Sequence, residues 1–190
     1  MSEKFDSAIK FAVDAHSGQT RKFVNVPYIL HPMEVASIIA TMTDDEDLII
    51  AGLLHDTVED CDADPMEIRE KFGIRVAALV QGESEDKLSD RPPEETWMER
   101  KEESLLMLEH TKDLGVKTLW LADKLSNIRS FYRQQRLHGD VIWQRLHQKD
   151  PKMQAWYYRT VIKCIPELKG TFAYEEYVEL VEKTFGPGEV

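Results

Sequence analysis

The segment Leu48–Leu54, LIIAGLL, is apolar on every side and runs straight into His55-Asp56. An apolar surface that wraps the whole cylinder must be buried all round, so this helix is central to a packed core and its polar continuation sits at the core's edge. The run is far short of the ~20 residues that cross a bilayer, which excludes a membrane-spanning role for it. Asp44, Asp45 and Glu46 precede it, where a helix macrodipole favours negative charge, and the helix is expected from Leu48 to about Val58.

Helical spacing recurs along most of the chain. Phe5, Ala8, Ile9, Ala12, Val13 and His16 repeat at threes and fours before Gly18. A loop follows to Leu30, and Pro32 suits the start of a second helix carrying Val35, Ile38 and Ile39, which puts His31 at its mouth. Asp64-Pro65 reads as N-cap and first residue of a short helix to Lys71, and Gly73 separates it from Ile74–Gln81. The polar stretch Gly82–Glu95, GESEDKLSDRPPEE, reads as a long loop or lid. Further helices are expected at Trp97–His110, Val116–Arg133, Asp140–His147, Lys152–Cys164 and Tyr174–Phe185. No segment alternates as a strand would. The expected class is all-α, with one domain over residues 1–190 and helices of 140–185 packed on the rest; 190 residues are ample for one core.

Charge narrows the partners. With 24 Lys and Arg against 35 Asp and Glu the net charge is −11, which repels a nucleic-acid backbone or an anionic membrane. Cys61 and Cys164 are too far apart in sequence for a thiolate zinc motif and are expected as reduced packing residues. The N-terminal MSEKFDSAIK is charged and lacks an apolar export signal, so the expected location is cytoplasmic.

Of six histidines, His16, His110, His138 and His147 have no ligand partners close in sequence and are expected in packing or surface roles. His55-Asp56 is different, because a buried helix end must satisfy both groups. LLHDTVED adds Glu59 and Asp60, and in a continuing helix His55 and Glu59 share a face. A solvated acidic helix end would explain the cluster. So would a divalent cation, with imidazole and carboxylate ligands suiting Mn²⁺, Fe²⁺ or Zn²⁺. Asp123 and Asn127 in LADKLSNIR stand one turn apart, with Asp123 directly after an apolar run; a structural ion pair and a ligand role are both open there.

The order His31, His55-Asp56, Asp123 resembles the H…HD…D signature of HD-domain metal-dependent phosphohydrolases. RKFVNVPYILHPMEVA, LLHDTVED and LADKLSNIR are similar to three segments of the hydrolase domain of RelA/SpoT proteins and of the small stand-alone alarmone hydrolases, over roughly residues 5–135. The resemblance implies a compact multi-helix HD-domain bundle that removes the 3′-diphosphate from guanosine tetra- or pentaphosphate with one divalent ion, Mn²⁺ in the family. By position it assigns His31, His55, Asp56 and Asp123 as metal ligands. Glu59 and Asp60 match the pair that orients or deprotonates water, and Arg21, Lys22, Tyr28 and Asn127 match substrate contacts. Lys87, Arg91, Arg100 and Lys101 are further cations near the loop. Gly82–Trp97 is longer and more acidic than its counterpart in the minimal hydrolases, so the outer phosphates are expected to be met differently. The short stretch after Phe185 leaves no room for a synthetase domain, hence an expectation of degradation only. The HD signature is also compatible with a phosphatase or phosphodiesterase acting on another nucleotide, or with a module that senses a nucleotide without turnover.

Overall fold

The computed structural model describes residues 2–61, 63–84, 88 and 90–188. The fold is all-α. Among the described residues the helices are α1 Glu3–Ala15, α2 Leu30–Ala40, α3 Glu46–Cys61, α4 Pro65–Phe72, α5 Ile74–Glu83, α6 Pro93–His110, α7 Leu114–His138, α8 Pro151–Cys164 and α9 Phe172–Phe185. The extended pairing seen among them is a single bridge, Thr20 to Pro27. Tertiary contacts divide the chain into two compact units. One comprises Met1–Ser84 with Thr118–Asp123, the other Glu85–Lys117 with Lys124–Val190.

In the first unit α3 is the central element, packed against α1, α2 and α5. Leu48, Ile50, Ala51, Gly52, Leu53, Leu54, His55 and Thr57 are all buried, as its apolar circumference requires. Asp45 starts it by accepting from the backbone N–H groups of Asp47 (3.0 Å) and Leu48 (3.3 Å). Gly52 sets how closely α2 approaches. A Cβ there would stand 2.7 Å from Ile39 Cδ1 and 3.2 Å from the Ala36 backbone, so a side chain would force the two helices apart. Ser2 caps α1 and Asp64 caps α4 through their side chains, and Pro65 opens α4 as its spacing suggests.

The second unit is held by interlocking aromatics. Trp97 meets Trp156 and Tyr157 edge-on, with centroids 6.3 and 6.1 Å apart. Phe131 packs on Trp143 and Tyr158, and Trp143 stacks on Phe185 at 5.5 Å. Tyr177 is fully buried and donates its hydroxyl to the Tyr158 carbonyl at 3.0 Å. The Trp156, Tyr157 and Tyr158 cluster is therefore helix packing.

Several expectations on element bounds change: α2 begins at Leu30, so His31 and Pro32 lie inside its first turn, and α7 runs on past Arg133 to His138. The segment Gly82–Glu95 is not wholly loop, because α5 runs to Glu83 and α6 begins at Pro93. Pro93 fits a first helical position and Glu94 and Glu95 suit the positive helix end, so PPEE is a helix start. Asp140–His147 forms a 3-10 helix over Gly139–Arg145, after Gly139 (φ 68°) ends α7. The third helix extends three residues past Val58, to Cys61. No helix among the described residues is long and apolar enough to cross a membrane.

Candidate metal centre

Four side chains from three helices converge in the first unit. His31 lies in the first turn of α2, His55 and Asp56 on the inner part of α3, and Asp123 on α7 after the buried Leu119–Ala122. His31 Nε2 is 2.9 Å from Asp123 Oδ1 and 3.5 Å from Asp56 Oδ2. His55 Nε2 is 3.1 Å from Asp56 Oδ2 and 3.6 Å from Asp123 Oδ1. The His31 imidazole, from another helix, stands against the Asp123 carboxylate.

Backbone geometry fixes which nitrogen of His55 faces this centre. Its Nδ1 lies 2.9 Å from the Gly52 carbonyl, a bond only a protonated Nδ1 can donate, so Nε2 carries the free lone pair when the ring is neutral. Nε2 is fully buried and makes no directed hydrogen bond, although two carboxylate oxygens stand near it. The four groups turn their nitrogen and oxygen atoms toward a shared point. Their separations, 2.9 to 3.6 Å, match the edges of a coordination polyhedron, about 3.0 to 3.4 Å for metal–ligand bonds of ~2.1 Å. Imidazole nitrogen with carboxylate oxygen and no thiolate suits a divalent first-row ion. The residues present fit such an ion, and a solvated helix end does not describe them, since His31, His55 and Asp123 are all buried.

The electrostatics agree. Burial disfavours a charged His55, yet the Asp56 and Asp123 carboxylates outweigh it and hold its proton well above the ordinary imidazole range. Burial prevails at His31 and lowers it against the pull of Asp123. Asp56 goes below the usual carboxylate range because His55, then His31, overcome its desolvation. Positive charge at this point is thus what the carboxylates favour, whether a proton or an ion brings it.

A family description, HD domain, matches residues 8–150. The chain belongs to the HD-domain family. This HD domain is related to the hydrolase domain of RelA/SpoT proteins. Over 131 residues it is 39% identical to guanosine-3′,5′-bis(diphosphate) 3′-pyrophosphohydrolase of Aquifex aeolicus, covering 69% of this chain and 18% of that protein. The chain thus spans less than a fifth of that relative's length. Among solved structures it is similar to a metazoan orthologue of SpoT, described as hydrolysing ppGpp, with TM-score 0.76 and 26% identity over 98% of this chain and 97% of the other. It is also similar to a protein of Listeria monocytogenes EGD-e, with TM-score 0.72 and 30% identity over 83% and 99%.

Around the HD-domain centre, Tyr28 donates its hydroxyl to Asp56 Oδ2 at 2.7 Å and lies 3.5 Å from Asp60 Oδ2. Burial, then the Asp56 charge, push that phenol far above its ordinary range, so it stays a donor. Arg21 lies over the Tyr28 ring at 5.6 Å, and Lys22 beside it is exposed. Glu59 stands one turn beyond His55 on α3 and is half-buried, while Asp60 is exposed and its carbonyl accepts from Gln19 Nε2 at 3.1 Å. Asn127 follows Asp123 by one turn of α7, in the stretch that counts with the second unit. His16 is buried against Tyr28 and Cys61, a packing role as expected.

Three of the extra cations near the loop have partners of their own. Arg91 pairs with Glu99 at 2.7 Å, and Lys101 lies over the Tyr157 ring at 5.0 Å. Arg100 is buried and donates to Thr96 Oγ1 and the Pro93 carbonyl, so it is not a solvated charge. Lys87 lies outside the described residues. Glu83, which falls in the expected loop Gly82–Glu95, is the buried last residue of α5 and approaches His55 and Asp56. The signal available was weak: it continues, three residues after Val80, the helical spacing of the buried Val76, Leu79 and Val80.

Proposed function

We propose that this chain is a metal-dependent hydrolase that removes the 3′-diphosphate from guanosine tetra- or pentaphosphate, giving GDP or GTP and pyrophosphate, with Mn²⁺ as its ion. The observation that carries the reading is the convergence of His31, His55, Asp56 and Asp123 on a buried His55 Nε2 that makes no hydrogen bond, in a chain similar along almost its whole length to a ppGpp-hydrolysing SpoT orthologue. These four residues hold the ion. When bound, a divalent cation lowers the pKa of water toward neutrality and draws charge from phosphoryl oxygens.

The protein's own groups do the rest. Glu59 is the first base for the attacking water and Asp60 the second, each one turn or so beyond the ligand pair on α3. Water oxygen bonds to phosphorus, the bond from phosphorus to the ribose 3′ oxygen breaks, and the released proton passes to that leaving oxygen. The Tyr28 hydroxyl fixes the Asp56 carboxylate, which keeps the ligand set aligned. Arg21 and Lys22 supply local positive charge that a chain of net charge −11 needs to hold a polyphosphate, and Asn127 binds the nucleotide. A guanine nucleotide in the cytoplasm is the partner this reading implies.

Incubation with Mn²⁺ and guanosine tetraphosphate should release pyrophosphate, and Glu59→Gln should slow release by ~10²-fold to 10⁴-fold. Product from other nucleotides with none from this one would replace the reading by a broader phosphatase or phosphodiesterase. Tight binding without any product would replace it by a sensing module.

A further inference from the structure

Glu83 ends α5, a helix packed on α3, and only 6% of it is exposed. The last turn of α5 is anchored: the Trp120 indole N–H donates to the Gly82 carbonyl at 3.1 Å, and Ser84 N–H and Oγ both return to the Val80 carbonyl. Trp120 sits on α7 three residues before Asp123, so one residue pair ties the end of α5 to the helix that carries a metal ligand. Held there, a carboxylate oxygen of Glu83, a ring nitrogen of His55 and a carboxylate oxygen of Asp56 all lie within 4.8 Å of one another.

His31, His55 and Asp123 form a second trio under the same limit. Both trios share His55. Because Nδ1 of that ring is committed to the Gly52 carbonyl, Nε2 alone remains for an ion, and one nitrogen serves one ion. The two trios therefore describe one centre seen from two sides. We propose that Glu83 is a further acidic member of this metal centre, reaching the same ion from the Asp56 side, either directly or through one of the ion's waters.

The charge count favours it. Asp56, Asp123 and Glu83 bring three carboxylates to two imidazoles, and a divalent cation lowers their mutual repulsion more than a single proton can. Opposite ligands of an octahedral ion stand about 4.3 Å apart for bonds of ~2.15 Å, so a limit of 4.8 Å admits both modes of contact. A carboxylate in either place strengthens ion binding. Its retention also leaves fewer positions open to water, which restricts where a substrate oxygen can enter.

This inference rests on the metal-centre reading above, and its test separates the two. Mn²⁺ affinity of the metal-stripped protein is measured by competition against a fluorescent chelator, with far-UV circular dichroism checking the fold. Wild type should bind one Mn²⁺, Glu83→Gln should bind it about 10- to 100-fold more weakly, and Glu83→Asp should fall between them. Glu167→Gln, in the other unit, should match wild type. A folded Glu83→Gln that binds Mn²⁺ within about twofold of wild type overturns the role of Glu83 and leaves the four-ligand centre standing. If Glu83→Gln does not fold, Glu83→Asp decides, and wild-type affinity in that variant overturns the role. Folded wild type that binds no Mn²⁺ overturns the centre itself, and this inference with it.

Discussion

The two units solve the same packing problem with opposite materials. In the second, the interior is filled by Trp97, Trp143, Tyr157, Tyr158 and Tyr177, and the Tyr177 hydroxyl donates to a backbone carbonyl. In the first, buried His16, His31, His55, Thr57, Glu83 and Asp123 sit within a shell of aliphatic side chains. Buried aromatics release free energy on folding, whereas buried imidazoles and carboxylates cost it unless something pairs them. The second unit buries charge as well, but Arg100 is met by Thr96 and the Pro93 carbonyl and Lys117 by Glu167, while its aromatics supply the packing. The first gives up stability to hold ionisable groups at a fixed point, the usual signature of a site.

The comparison can be broken by exchanging the roles of single residues. The largest effect should come from Asp56→Asn, which removes a ligand charge. Hydrolysis should fall by at least ~10³-fold, equivalent to about 4 kcal/mol, while the midpoint of thermal unfolding without metal changes little. A large loss of metal-free stability would mean Asp56 is chiefly structural. Tyr177→Ala in the second unit should do the reverse, costing about 3–5 kcal/mol of unfolding free energy with Mn²⁺ affinity retained.

Metal itself should act unevenly. Mn²⁺ at about 100 times its dissociation constant should stabilise the fold by about 2.7 kcal/mol, reversed by chelator. Hydrogen exchange should slow at α2 and α3 amides more than at α8 and α9; equal slowing in both units would erase the distinction. Gly52→Ala should cost about 1–3 kcal/mol, because Ile39 and the Ala36 backbone must move to admit the methyl group. Since His55 hangs from the Gly52 carbonyl and His31 rides on the displaced helix, Mn²⁺ affinity should fall in the same variant, read by titration.

The smallest effect concerns pH in the second unit. Lys117 is buried and donates to Glu167 at 2.7 Å, which holds that carboxyl below its usual range. The pair's contribution is fully present above the ordinary carboxyl pKa and fades as pH falls through the lowered one. Wild type should therefore melt above Glu167→Gln at neutral pH, and the gap should close as pH falls from the ordinary carboxyl range through the lowered one. A gap that stays constant well below the ordinary carboxyl range would show that the ion pair is not the cause.

Much of this was legible in the chain because it is a matter of neighbours. The periodicity of α1, α3 and α7, the cap at Asp64, and the turn-by-turn placement of Glu59 after His55 and Asn127 after Asp123 follow from residues a few positions apart. The HD-type order marked the four ligand candidates by resemblance. PPEE misled, since prolines that end one helix can equally begin another, and the choice depends on what α6 packs against.

Local pattern determined that this protein is helical, that α3 is its most buried helix, and that His55-Asp56 stands where ionisable groups are costly. Only tertiary structure decided that His31 meets Asp123 across 92 positions of chain, that Gly52 lets α2 come close enough, and that Glu83 turns inward. Helix spacing is set by hydrogen bonds within four residues, but the distance between two helices is set by which side chains interdigitate. No short stretch of sequence contains that information.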